Sequence, residues 1–311
     1  MTPRPLIIDC DPGVDDAIAL LLALASPAEF DLLGITTVAG NVPLALTTAN
    51  ARRICHLAQR PEVPVYAGCP RPLLRSLTTA ADIHGATGLQ GANLPAPTAP
   101  LQTQHAVAFL IDRLTTASTP ITLATLGPLT NLAVALIQRP DIAQGVDQVV
   151  MMGGALGEGN ITPAAEFNLY VDPHAARVVV EAGLPLTMIG LDVTHQVVTT
   201  PDRLAALEAL GTPVGEAAAG MLRHYGQLDI ERHGLVAPPL HDPCVIAYLL
   251  RPDLFTGRPM GLAVETEGSL CIGRTVANTF PTAAQPANAT VIETADAAGI
   301  YALLTERLGK L

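Results

Sequence analysis

Short apolar runs alternate with longer helical stretches over most of this chain, and no other feature restricts its fold as much. Residues 6–9, 31–39, 63–67, 121–126, 146–152 and 185–191 read as strands, with helices at 15–25, 44–58, 105–114, 129–137 and 173–182 between them. Strand–helix repetition builds a mostly parallel sheet with helices on both faces, because each crossover lays its helix across the sheet. The strand centres are uncharged, as burial of both faces requires. After about residue 200 the pattern changes to helices at 203–210, 216–228 and 243–250. A hairpin of 260–267 with 270–276, turning at Glu267-Gly268, a strand at 291–293 and a helix at 296–308 close the chain. No repeat, low-complexity tract or Gly/Ser-rich linker interrupts it, so one domain over residues 1–311 is expected. Its class is α/β: an open, mostly parallel sheet with helices on both faces and a helical C-terminal portion. Two connections, 68–104 and 153–169, are long for a compact domain, and both follow predicted strands. Ligands of open α/β sheets sit at that carboxyl edge.

Charge and composition remove several functions. The chain carries 17 Lys and Arg against 28 Asp and Glu, a formal −11, and a surface of that sign repels nucleic-acid backbones and anionic lipid. Lys310 is the sole lysine, which leaves no internal lysine for a phosphate loop, a Schiff base or a kinase site. None of the serines lies in G-x-S-x-G, so the hydrolase-elbow nucleophile is absent. Five cysteines without a C-x-x-C pair fit a reduced, cytoplasmic protein with no thiolate metal site. The longest clean apolar run, 17–25, is about half of a membrane span, and the N-terminal MTPRPLIIDCD does not read as a secretory signal.

The most informative stretch is Asp9-Cys-Asp11-Pro-Gly-Val-Asp15-Asp16. Asp9 and Asp11 end a strand, Pro12-Gly13 turns the chain, and Asp15 and Asp16 fall in the first turn of a helix, whose dipole favours anions. Capping accounts for one or two acids in such a place. Four carboxylates, two of them at a buried strand end, ask for a counter-charge, and an all-oxygen donor set suits Ca²⁺ or Mg²⁺. The EF-hand pattern does not fit, since Gly13 stands at a ligand position and Leu20 at the bidentate one.

Farther on, Asn160, Glu166 and Asn168 crowd two amides and a carboxylate into one loop. Such a set can bind the hydroxyls of a sugar, or it can be a polar loop with Asx turns. Asp242, beside His241, opens a helix and can cap it. His84 reads as a ligand-facing or a merely solvated loop histidine, and His195 as a group at a strand end or a packed core histidine.

Together these motifs resemble the inosine–uridine nucleoside hydrolase family over nearly the whole chain. They are D-C-D-P-G-V-D-D at 9–16, V-A-G-N at 38–41, I-H-G-A-T-G-L at 83–89, G-P-L-T-N-L-A at 127–133, M-M-G-G-A at 151–155, G-N-I-T-P-A-A-E-F-N at 159–168, G-L-D-V-T-H at 190–195 and P-L-H-D-P at 239–243. The likeness is greatest to the pyrimidine-preferring ribonucleoside hydrolases. It implies the nucleoside hydrolase fold, with a Rossmann-like core, and a ribonucleoside as substrate, cleaved to free base and ribose. It implies Ca²⁺ held by Asp11, Asp16, Asp242 and the backbone carbonyl of Leu126. Asp15, Asn41, Asn160, Glu166 and Asn168 match ribose contacts, Met152 and Phe167 apolar contacts around the sugar, and His84 and His241 the histidines near the base. A homo-oligomer, dimer or tetramer, is also implied.

Cleavage of an N-glycosidic bond passes through an oxocarbenium-like ribose, which an acidic pocket stabilises. Asp11 is the expected general base toward water, and His241 the expected proton donor to the departing base. The match weakens at 226–233, where Asp229 and His233 replace the Gln and Tyr of the pyrimidine subgroup, so purine or broad preference stands as an alternative. Tyr225 also lies there without an assigned role. Two rivals remain at this stage. One is a haloacid-dehalogenase-like phosphohydrolase with Asp9 as nucleophile, disfavoured by Gly13 and by the missing lysine; the other is a nucleoside-binding module without chemistry.

Overall fold

The computed structural model describes residues 2–97, 100–233, 236–280, 282 and 286–311, with side chains described except at 226–233. Among the described residues nine strands form one sheet, in the order β3-β2-β1-β4-β5-β6-β9-β7-β8. They are β1 (Arg4–Cys10), β2 (Phe30–Thr37), β3 (Val65–Ala67), β4 (Ile121–Thr125), β5 (Val146–Met152), β6 (Leu186–Ile189), β7 (Phe255–Val264), β8 (Thr275–Asn278) and β9 (Ala289–Ala295). The helices are α1 (Val14–Leu24), α2 (Leu44–Leu57), α3 (Ala81–His84), α4 (Ala106–Thr116), α5 (Thr130–Gln138), α6 (Phe167–Val171), α7 (Pro173–Glu181), α8 (Leu191–Thr194), α9 (Pro201–Glu208), α10 (Pro213–His233), α11 (Pro243–Leu250) and α12 (Ala297–Leu308). β1 to β6 and β9 pair in parallel, and β7 runs antiparallel to β9 and β8.

Side-chain alternation divides the apolar residues between the two faces. On β1, Leu6, Ile8 and Cys10 enter the core built with α1, α2, α10, α11 and α12, whereas Ile7 enters the core built with α4, α5 and α7. On β5, Val150 and Met152 join the first core, and Val149 and Met151 the second. Every residue of α1 is buried, Asp15 and Asp16 included, so this helix is walled in on all sides rather than lying on a surface.

The parallel α/β architecture matches the sequence reading, and the C-terminal third adds more than helices. β9 docks parallel to β6 and carries β7 and β8 outward, so the sheet continues past the doubly wound core. The hairpin is present but shorter in its second strand. Leu270 is 85% exposed and lies in a turn, because Glu265 Oε1 accepts the N–H groups of Glu267 (2.7 Å) and Gly268 (3.0 Å) and folds the chain before pairing resumes at Thr275. Likewise, residue 191 opens α8 instead of ending the preceding strand.

Successive strands add on one side of β1 as far as β3, and then on the other side from β4 to β6. The carboxyl ends of β1 and β4 therefore flank the switch point of the sheet, where neighbouring loops part and leave a crevice. Asp11 follows β1 and Leu126 follows β4.

Candidate active site

A cleft opens at this edge, lined by polar and apolar side chains together. The two long loops supply much of its wall: Thr79, Asp82 and His84 from the first, Asn160, Glu166, Phe167 and Asn168 from the second. Asp15, Asn41, Leu126, Met152, His195, Tyr225, His241 and Asp242 complete most of the rest. Of the site residues expected from sequence, only Asp11 and Asp16 do not line it; both are fully buried beneath its floor.

The floor is a knot of acids. Carboxylate oxygens of Asp15, Asp16 and Asp242 lie within 4.8 Å of one another. Asp16 is the third residue of α1 and folds back over the helix start, accepting from Gly13 N–H (3.0 Å), Asp11 N–H (3.1 Å) and Asn41 Nδ2 (3.0 Å). Asp11 Oδ2 accepts from Asn41 N–H (2.7 Å), while its Oδ1 is buried without a hydrogen-bond partner. Gly40 and Gly127 clasp this carboxylate, and a side chain on either would collide with it. Burial pushes Asp11, Asp16 and Asp242 above the usual carboxylate range, reinforced at Asp11 by the charge of Asp16 and at Asp242 by that of Asp15. A buried, unpartnered oxygen beside converging carboxylates is the donor chemistry of a hard cation, so the residues present fit a metal ion. The carbonyl of Leu126 borders the same space; it accepts from Asn168 Nδ2 (2.7 Å) and keeps a second lone pair.

Asp9 stands apart from this knot. Strand alternation turns it to the opposite face of the sheet, where its Oδ1 accepts from Thr36 Oγ1 and from Asn131 Nδ2 of α5. It does not line the cleft, which removes the phosphohydrolase reading.

Glu166 caps α6. Its Oε1 accepts from Asn168 N–H (2.8 Å), and its Oε2 from Gly154 N–H (2.9 Å) and Leu169 N–H (3.2 Å). Burial outweighs these donors and pushes its carboxyl up to about 7. Asn168 spends its amide hydrogens on the carbonyls of Leu126 and Met152 (3.2 Å), which leaves its Oδ1 to accept.

Two of the three histidines of the wall, His84 and His241, are each held by one ring nitrogen. His84 Nδ1 accepts from Val14 N–H (3.1 Å), and burial lowers its pKa to about 4. It is therefore a neutral ring with its hydrogen on Nε2. The contact is possible because residue 13 is glycine: a Cβ there would lie 2.5 Å from His84 Nδ1. His241 Nδ1 meets Thr194 Oγ1 at 2.7 Å. His195 is not packed in the core but exposed at the cleft, with its ring 5.8 Å from that of His241. Tyr225 lies 5.3 Å from His84, ring to ring, whereas the Asp229 and His233 side chains fall outside the described residues.

Sequence reasoning passed over Thr194, Gly40, Gly127 and Asp192, although all four lie inside quoted motifs. Their work is to hold other groups, and one-dimensional spacing does not display that. Among the described residues, no helix is long and apolar enough to cross a membrane.

The inosine-uridine preferring nucleoside hydrolase family model matches residues 6–302. The pyrimidine-specific ribonucleoside hydrolase RihA of Shewanella woodyi is 44% identical, covering 98% of each chain. The pyrimidine-specific RihB of Escherichia coli is 43% identical, over 98% of this chain and 97% of that one. Among solved structures, a plant nucleoside hydrolase superimposes with a TM-score of 0.91 at 34% identity, over 98% of this chain and 99% of its own. A purine-preferring ribonucleoside hydrolase from Gardnerella vaginalis gives 0.92 at 32% identity, over 98% of both. The motifs, the switch-point cleft and these matches lead to one conclusion: the chain belongs to the inosine-uridine preferring nucleoside hydrolase family and is an N-glycosyl hydrolase of nucleosides.

Proposed function

We propose that this single-domain enzyme is a Ca²⁺-dependent ribonucleoside hydrolase that prefers pyrimidine nucleosides, uridine and cytidine, and serves pyrimidine salvage in the cytoplasm as a homodimer or homotetramer. The observation that carries the metal-dependent reading is the buried, unpartnered Oδ1 of Asp11 beside the converging oxygens of Asp15, Asp16 and Asp242. Asp11, Asp16, Asp242 and the Leu126 carbonyl would hold the ion. A bound dication supplies charge that lowers the pKa of water and attracts a sugar diol.

The chain's own groups do the rest. Asn41, Asp15, Asn160 and Asn168 bind the ribose hydroxyls, and Met152 and Phe167 pack against the sugar. Glu166, as a carboxylate, opposes the positive charge that develops on the ring. Asp11 takes the proton of the attacking water, and His241, fixed by Thr194, delivers one to the departing base. His84, neutral and anchored through Nδ1, orients the base with its Nε2–H. Asp15 competes for the base role, because it lines the cleft and Asp11 does not.

Pyrimidine preference rests on the RihA and RihB relatives. The purine-preferring Gardnerella vaginalis structure supports the second reading at lower identity. The decisive assay follows ribose release from uridine, cytidine, inosine and adenosine, with chelator and with added Ca²⁺. Full activity in chelator overturns the metal reading, and faster inosine than uridine hydrolysis overturns the pyrimidine one. Asp11→Ala with near-normal kcat, against a collapsed Asp15→Ala, moves the base role to Asp15.

A further inference from the structure

The loop that brings Asn160 to the cleft is held from outside it. Asp192, in α8, accepts two successive backbone N–H groups at the start of the loop: Leu156 to Oδ2 (2.6 Å) and Gly157 to Oδ1 (3.0 Å). Arg274 reaches it from the turn before β8, donating to the carbonyls of Leu156 (3.4 Å), Gly157 (3.4 Å) and Ala164 (3.5 Å), and so ties the outgoing limb to the returning one. Thr275 Oγ1 accepts from Ala155 N–H (3.3 Å). Neither Asp192 nor Arg274 lines the cleft.

Within the loop, Asn160 N–H donates to Ala165 O (3.2 Å), and Asn160 Oδ1 accepts from Phe167 N–H (2.9 Å). That second bond uses one lone pair of the amide oxygen and fixes the amide plane, leaving Nδ2 to donate to a ligand. The bond holds only while the two limbs keep their spacing; from outside, Asp192 and Thr275 anchor the outgoing limb and Arg274 spans both. Polar groups that recognise hydroxyls need placement within a fraction of an ångström, and the groups behind them supply it.

We propose that Asp192 and Arg274 form a clamp that positions Asn160 for substrate binding, with Asp192 as its main member because its two bonds are short and charge-assisted. The proposal rests on the reading that Asn160 contacts the substrate. Removing the clamp costs the substrate about one good hydrogen bond, roughly a tenfold rise in KM, and changes kcat less than about twofold.

The test is a double-variant cycle on Asp192→Ala and Asn160→Ala with uridine, read as KM and kcat separately, together with amide exchange at 155–161. Asp192→Asn, which keeps one acceptor, and Arg274→Ala serve if Asp192→Ala folds poorly. Expected are faster exchange in the loop, a raised KM in each single variant, and a double variant no worse than Asn160→Ala alone. Multiplicative losses in the double variant overturn the proposal, because Asp192 then acts by another route. Unchanged exchange, or a lowered melting temperature with unchanged KM, also overturns it and leaves Asp192 a structural residue. If Asn160→Ala leaves KM intact, the assignment of Asn160 to the substrate falls, and this use of the clamp with it; an effect of Asn160→Ala without one of Asp192→Ala removes the clamp alone.

Discussion

Glu166→Gln separates two properties of one buried carboxyl. The Glu166 carboxyl is pushed from its ordinary 4.5 to about 7 by burial. The folded protein therefore keeps a proton that the unfolded chain releases in this interval, and stability falls as pH rises through it. At 1.36 kcal/mol per pKa unit, the ionised group costs about 3 kcal/mol above neutrality. Glutamine removes that pH-dependent cost but has a single acceptor oxygen. Placed at Oε2 it still serves Gly154 and Leu169, leaving the Asn168 N–H facing an amide NH₂, a loss of about 1–3 kcal/mol. Urea unfolding at about pH 5 and pH 8 is the assay: wild-type stability should drop between the two by about 3 kcal/mol more than that of the variant. Catalysis should move the other way. Only the carboxylate opposes charge on the ribose, so kcat/KM should rise with pH through about 7 in the wild type. In the variant it should be about 10²–10³-fold lower and flat in this range. A variant that keeps the ascending limb near 7 would refute the assignment of that limb to Glu166. Equal pH slopes in unfolding would refute the burial argument.

Three other outcomes follow from the same geometry. Chelation should lower the melting temperature, and more at about pH 8 than at about pH 5: burial raises the carboxyls of Asp11, Asp16 and Asp242, so the ion-free fold holds protons and loses stability as pH rises, a trend that excess Ca²⁺ should flatten in a thermal scan. His241→Ala should slow uridine hydrolysis about 10²–10⁴-fold while affecting a nitrophenyl riboside, whose leaving group needs no proton, at least tenfold less; equal losses on both would remove the acid role. Gly127→Ala, which forces a methyl against Asp11, should destabilise by about 1–3 kcal/mol in urea and abolish turnover that added Ca²⁺ does not restore.

The fold was legible where periodicity is local. Residues 146–152 and 243–250 carry their own patterns, and the elements formed at those positions. Sheet order was legible only as a class, because nothing in residues 289–295 declares that they will pair with Thr187 and Met188. The site divides in the same way. Asp15, Glu166 and Asn168 could be picked out because several polar groups stand close together in sequence, and each reaches the cleft. Thr194 could not, since its importance lies in one contact with a residue 47 positions away. Gly40 and Gly127 were quoted in motifs, but their reason, room for the Asp11 carboxylate, exists only after β1, β2 and β4 are side by side.

Asp9 and Asp11 mark the limit of reasoning from a run of acids. Two residues apart in sequence, they read as members of one cluster. Pleating places Asp9 on the α5 side of the sheet, and the turn after Cys10 brings Asp11 under the cleft beside Asp16. The two carboxylates are treated differently there. At Asp9 one oxygen receives two side-chain donors and the other has no partner, and its carboxyl rises only to about 6. At Asp11 a single backbone N–H serves one oxygen and the other has no partner, in an environment that pushes the group much higher. Each acid thus keeps one unpartnered oxygen, and what separates them is company: the charges of Asp16 and Asp15 bear on Asp11, whereas Asp9 has the side-chain donors of Thr36 and Asn131. Counting acids in the motif does not distinguish these two settings; following each carboxylate to its neighbours does, and it ties Asp9 to Asn131 of α5 and sets Asp11 beside Asp16 under the cleft.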